Sequence, residues 1–260
     1  MKRCLLMFIV AISATVFLSG KDQKVSSPDG NIVLTVTPGP KLGWKVSFGE
    51  KEVMKSADLA MVLSNGRVLP GEADKVKKAS VTALREVIKP EVPNKRSEIP
   101  NNCNILELVY RSGITVEFRV YDDGVAYRFK TLLGDELTVK NEISGIEFAP
   151  GATSWYPLED GFMSHNERIY INTKIDTLGS QHLASLPSLF ISEGVNVLVT
   201  ESDIIDYPGM WLRGAGDGKL EGVWPQYPET EKLESDRNLY VTSTKDFIAK
   251  TKGNRTFPWR

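Results

Sequence analysis

Eight consecutive residues constrain this chain more than any others. In Ile114 to Tyr121 (ITVEFRVY), apolar Ile114, Val116, Phe118 and Val120 alternate with Thr115, Glu117, Arg119 and Tyr121. A strict period of two sends the first set to one face of a β-sheet and the second to the other. Ser112-Gly113 supplies a turn before the octet and Asp122-Asp123-Gly124 a turn after it. Val125 to Phe129 (VAYRF) alternates again, so residues 105–133 read as a three-stranded antiparallel meander. Further strands are expected at 32–37, 42–48, 60–63, 137–139, 195–200, 239–242 and 247–251. They are short and separated by Pro, Gly, Asn and Asp, the spacing of a sandwich or barrel. Residues 72–89 have the Ala, Lys, Glu and Leu content of a helix. Their β-branched Val76, Val81, Thr82, Val87 and Ile88 favour strand instead. Residues 89–100, rich in proline, form a loop rather than a domain boundary, because strand signals resume on both sides.

Charge and cysteine content narrow the partners. Lys and Arg number 32 against 33 Asp and Glu, so no basic excess points to nucleic acid. Cys4 and Cys103 are the only cysteines, which excludes a disulfide framework or a thiolate metal site. Lys2 and Arg3 precede an apolar run from Leu5 to Leu18 that ends in Ser19-Gly20, the pattern of an export signal over residues 1–20. The run is shorter than the roughly 20 apolar residues that span a bilayer, which favours a cleaved leader over an uncleaved anchor. Lys21 stands where a lipoprotein would carry its cysteine. The expected product is one domain, residues 21–260, in a bacterial periplasm or secreted, without a membrane span and with Cys103 as a lone inert thiol.

Common catalytic motifs are missing. Gly66 to Gly71 has phosphate-loop spacing, but Glu72 and Ala73 replace the Lys and Ser/Thr that bind phosphate and metal. Gly214-Ala-Gly216-Asp-Gly218 fails the dinucleotide fingerprint at Lys219, and both stretches read as glycine-rich turns. His165 and His182 lack the spacing that puts two ligands on one helix face. Surface or structural roles fit them better than acid–base work. Glu201 is the carboxylate that stands out. It follows the apolar strand Val195 to Thr200 and opens Glu-Ser-Asp-Ile-Ile-Asp-Tyr-Pro-Gly-Met, residues 201–210. An acid at a strand end projects rigidly and offers the oxygen that a hard cation such as Ca²⁺ takes. The plainer alternative is a solvated carboxylate at a strand–loop junction.

Four stretches together resemble the N-terminal domain of glycoside hydrolase family 97, the bacterial α-glucosidases and α-galactosidases. They are Ser26 to Ile32 (SSPDGNI), Phe118 to Phe129 (FRVYDDGVAYRF), Thr200 to Met210 (TESDIIDYPGM) and Phe257 to Arg260 (FPWR). The resemblance implies an all-β fold, an antiparallel β-supersandwich of the galactose mutarotase type. In the family that domain precedes a catalytic (β/α)₈ barrel, which needs about 250 residues, and a small C-terminal β-sandwich. The barrel carries the two catalytic carboxyl groups, so residues 21–260 are expected to hold no catalytic residue and to be inactive alone. The resemblance also implies that Glu201 matches an N-terminal-domain glutamate that helps bind Ca²⁺ beside barrel glutamates. Calcium is then expected only when a barrel docks. Residues 86–99 lack the aromatic and glycine residues of the family pattern.

Three readings follow. The first is the supersandwich of an α-glycosidase acting on α-glucosides or α-galactosides, completing the active site of a missing catalytic barrel. The second is an independent exported carbohydrate-binding module, with Trp155, Tyr156, Trp211, Trp224 and Tyr227 as candidate stacking platforms against a core-packing role. The third is a mutarotase-like enzyme using His165, His182 and an acid. An exposed apolar patch is expected for the first, one aromatic groove for the second, and both histidines in one pocket for the third.

Overall fold

The computed structural model describes residues 15–16, 21–92, 95–236 and 238–260. The leader expected over residues 1–20 therefore lies outside the described residues, apart from Thr15–Val16, which pairs with Val81 and Ser80. Among the described residues the regular elements are β-strands, with a single 3₁₀ turn at Ile175–Thr177. No helix among them is long and apolar enough to cross a membrane.

Two large sheets make the body. The first runs Val76–Ile88, Ile99–Tyr110, Ile114–Tyr121, Gly124–Leu132 and Asn254–Thr256 in spatial order. Its centre is the expected meander: Phe118 lies opposite Leu106 on one side and Tyr127 on the other. The second sheet passes from Gln23–Ser26 through Ile32–Thr37, Gly43–Phe48 and Lys51–Ser56 to Leu137–Phe148. It continues through Lys219–Val223, Trp211–Gly216, Leu183–Ala184, Thr153–Glu159 and Ser188–Ser192 to the edge strand Val195–Val199. The inward faces meet in one core that includes Leu34, Leu106, Phe118, Phe129 and Phe190. The Trp44 ring lies 6.4 Å from that of Tyr127, and Tyr127 reaches across to Ser144 through a 2.8 Å hydroxyl–hydroxyl hydrogen bond.

Several boundaries differ from the sequence reading. The segment expected at 137–139 extends to Phe148 and becomes the hub of the second sheet, pairing also with Leu59–Leu63 and Ala249–Thr251. The strand at 239–242 runs to Thr244, but it pairs only with Pro228–Leu233 as a separate projecting hairpin. Gly214 to Gly218 forms a hairpin turn, with Asp217 at φ 52° and Gly218 at φ 72°, where glycine is favoured because it lacks a Cβ. Two of the stretches that carry the family resemblance touch. Asp29 accepts hydrogen bonds from Ser27 Oγ and Asn31 N, its own amide donates to Asp122 Oδ1 at 2.8 Å, and its carboxyl is held down to about 2 by these donors.

The outer face of the meander is not simply solvated. Glu117, on the polar side of the alternation, is buried among three cations. Arg119 Nε lies 2.9 Å from Oε1, while Arg128 Nε at 2.9 Å and Lys130 Nζ at 2.6 Å approach Oε2. Burial alone would raise the Glu117 carboxyl, but hydrogen bonds from Lys130, Arg119 and Arg128 overcome it and hold the group below its usual range. A carboxyl with a lowered folded value stabilises the fold above its unfolded value, about 4.3, and loses that contribution as pH falls through the folded value. Urea midpoints measured from pH 6 to pH 3 should therefore fall more steeply for the wild type than for Glu117→Gln once pH drops below that range. Parallel curves would show that the ionised carboxylate contributes nothing.

Candidate functional site

Glu201 sits just beyond the edge strand Val195–Val199. That strand is apolar except for Asn196, yet only one side faces inward: Val195, Val197 and Val199 pack against the core, while Leu198 is 58% exposed. Beyond it the backbone doubles back through Asp203 and Asp206, both at positive φ, to reach Met210. The Met210 amide donates to both Glu201 carboxylate oxygens, at 2.9 and 3.0 Å. The intervening Gly209 makes this approach possible, since a Cβ there would stand 2.7 Å from Glu201 Oε1. Arg255 braces the loop from outside, donating through Nη2 to the Ile205 carbonyl at 2.9 Å.

The other wall of the site is the segment Phe257 to Arg260. It runs beside Gly124–Leu132: Phe257 N donates to Phe129 O at 2.9 Å, Arg260 N to Tyr127 O at 2.9 Å, and Tyr127 N to Arg260 O at 2.8 Å. Its opposite edge pairs with the residue after Glu201, Ser202 and Trp259 exchanging hydrogen bonds of 3.1 and 2.9 Å. The Trp259 ring is clamped on the outer face by Arg119 at 4.6 Å and Arg128 at 4.1 Å, the two guanidinium groups that Glu117 anchors. Arg260 points to the interior. Its Nη1 lies 3.1 Å from Glu201 Oε2 and its Nη2 3.8 Å from Glu142 Oε1. The Arg260, Glu142 and Glu201 side chains are 2%, 1% and 8% exposed.

Burial pushes both carboxyls up, Glu142 without a compensating hydrogen bond to its Oε1, while the Arg260 charge opposes the rise in each. For Arg260, burial alone would lower its value, but the charges of Glu142 and Glu201 outweigh burial and raise it. A cavity of about 510 Å³ opens beside this cluster, its lining including Trp44, Phe118, Tyr127 and Val197 together with Glu201 and Arg260.

The remaining sequence candidates disperse. His182 Nδ1 accepts the Gly179 amide at 2.9 Å, a turn-fixing role, and His165 lies on an exposed loop. Neither lines that cavity. Tyr156, Trp211 and Trp224 are core residues, leaving Trp155 and Tyr227 as exposed aromatics. Cys103 is buried and its thiol is pushed up by that burial, an inert position. Among the described residues no group of three or more His, Cys, Asp or Glu is placed to hold a metal ion. Three residues that build the site were not singled out from sequence as site residues: Glu142, Met210 and Arg260. Met210 and Arg260 lie in two of the stretches that carry the family resemblance, which was the available signal.

Fold and site together define an antiparallel β-supersandwich with one fixed carboxylate in the wall of a cavity. The chain belongs to glycoside hydrolase family 97: the family model described as Glycosyl-hydrolase 97 N-terminal matches residues 25–260. It is 30% identical over 273 residues to a retaining α-galactosidase of Bacteroides thetaiotaomicron, an alignment covering all of this chain and 41% of that protein. A glycoside hydrolase family 97 enzyme from Pseudoalteromonas sp. strain K8, solved in complex with panose, shares the fold with a TM-score of 0.76 at 19% identity, over 92% of this chain and 35% of that one. A β-arabinopyranosidase crystal structure gives a TM-score of 0.74 at 24% identity, over 92% and 39%. The chain thus spans well under half the length of these relatives.

Proposed function

We propose that this chain is the active-site-completing domain of an exported α-glycosidase acting on α-glucosides or α-galactosides. In this reading it docks on a catalytic barrel and supplies Glu201 as one oxygen ligand of a shared Ca²⁺. The observation that carries it is the fixing of Glu201. A carboxylate gripped by the Met210 amide, given room by Gly209 and backed by Arg260 is positioned far more rigidly than a solvated surface acid. One carboxylate cannot satisfy a cation that takes six to eight oxygens, so the donor set fits the ion only in part and the rest must come from a docked partner. An apolar face beside the site supports docking. Trp155, Leu189 and Leu198 lie directly opposite one another across three strands, and Trp155 and Leu198 are 42% and 58% exposed. In this reading the leader expected over residues 1–20 would export the assembly to the periplasm or outside the cell.

The test is a chimera in which residues 21–260 replace the corresponding part of the Bacteroides thetaiotaomicron α-galactosidase. Calcium-dependent hydrolysis is expected, reduced at least 100-fold by Glu201→Gln, while the 260-residue chain alone releases no sugar. A chimera indifferent to Glu201→Gln, or hydrolysis by the chain alone, overturns the reading. The exposed rings of Trp155 and Tyr227 favour a second reading, a stand-alone carbohydrate-binding module. It would be marked by panose binding to the isolated chain that Trp155→Ala or Tyr227→Ala removes.

A further inference from the structure

If Glu201 is to meet a cation, the first charge it faces is already present. Arg260 is its nearest cationic neighbour, and nothing in the fold lets that group withdraw. Its backbone is paired to Tyr127 in both directions, and the ring of the preceding Trp259 lies against the guanidinium groups of Arg119 and Arg128. Its guanidinium lies 5.8 Å from the Trp224 ring and 6.0 Å from the Tyr207 ring. A guanidinium does not shed its proton, so burial cannot neutralise it as it would a lysine. None of its three nitrogens has an aligned hydrogen-bond acceptor, so charge and packing hold it where it is. The cluster therefore contains one permanent positive charge against two carboxyls, Glu142 and Glu201, all nearly inaccessible to solvent. With one carboxyl neutral the cluster has no net charge; with both ionised it has a single negative charge.

We propose that Arg260 is the built-in counter-cation of Glu201: it holds the carboxylate in place and keeps a divalent cation from binding there until further carboxylates outweigh the guanidinium. The inference rests on the reading of Glu201 as a cation ligand and adds an order to it, with docking first and metal second. Arg260 is a positioning residue in this scheme. A premature ion on the lone domain would occupy Glu201 with a hydration shell that a docking partner must strip. The resident guanidinium satisfies the same charge without one.

Terbium titration of the isolated chain tests this, using the luminescence of a calcium-like ion sensitised by neighbouring tryptophans. Wild type and Glu201→Gln should give indistinguishable isotherms. Arg260→Gln, its fold verified by circular dichroism, should bind terbium at least tenfold more tightly than wild type. Adding Glu201→Gln to Arg260→Gln should remove that gain. A folded Arg260→Gln protein with no gain overturns the proposal. Should Arg260→Gln not fold, the comparison of wild type with Glu201→Gln decides: equal isotherms support the proposal, and wild-type binding more than threefold tighter than Glu201→Gln overturns it. The functional reading fails separately. A chimera that ignores Glu201→Gln discards the ligand role whatever terbium does, whereas terbium held by Glu201 in the wild-type domain discards only the counter-cation.

Discussion

Glu117→Ala should be among the most damaging single changes in this domain, lowering its stability by about 3–5 kcal/mol, the usual cost of removing one partner from a buried ion cluster. The side chain is 2% exposed and faces Arg119, Arg128 and Lys130. Without it three cations crowd one patch of sheet, and only Lys130 keeps another carboxylate, Glu107, at 2.7 Å. The damage should spread, because Arg119 and Arg128 also grip Trp259 and so the segment that pairs with Ser202. Urea unfolding would show the loss as a lower midpoint with an unchanged slope. A loss below about 1 kcal/mol, the range of exposed pairs, would mean that the cluster is screened like a surface one.

Phe257→Ala should cost a similar amount, about 3–5 kcal/mol, for a different reason. The ring is fully buried, packs edge-on against Tyr207 at 5.2 Å and lies 5.0 Å beneath the Arg255 guanidinium. Removing it opens a hole under the same segment that carries Trp259 and Arg260. Amide hydrogen exchange should then accelerate at Tyr127 and Ser202, whose N–H groups donate to Arg260 and Trp259, before it does so at Phe118 in the meander. Uniform acceleration would indicate that the segment is no looser than the rest of the sheet.

How much of this was legible follows from which interactions are local. The meander was readable because alternation and turn residues are properties of neighbours, and Ile114, Val116, Phe118 and Val120 are all buried as that pattern requires. Thr153–Glu159 lacked a clear strand pattern because it contains Pro157, a residue that argues against a strand, and Trp211–Gly216 because two glycines dilute its pattern. Val195–Val199 was readable as a strand, but its position at the sheet edge is set by pairing order, which no local pattern encodes. Glu117 shows the limit most plainly. It occupies a polar slot in the alternation and is nonetheless buried, because Arg128 and Lys130 on the next strand close over it. Glu201 could be singled out by its place after a strand and by its family-like context. Arg260 had only its place in a family-like stretch, and Glu142 had no signal at all, since it joins the cluster only through tertiary contacts.

The backbone pairing of Tyr127 with Arg260 joins positions separated by more than half of the 260 residues. Contacts of that span are the slowest to form, because a long loop must close before they are rewarded. On a ribosome, the meander would be complete long before Phe257 to Arg260 emerge. The shelf on which Glu201 rests would be among the last parts to set, after most of the sandwich had already condensed.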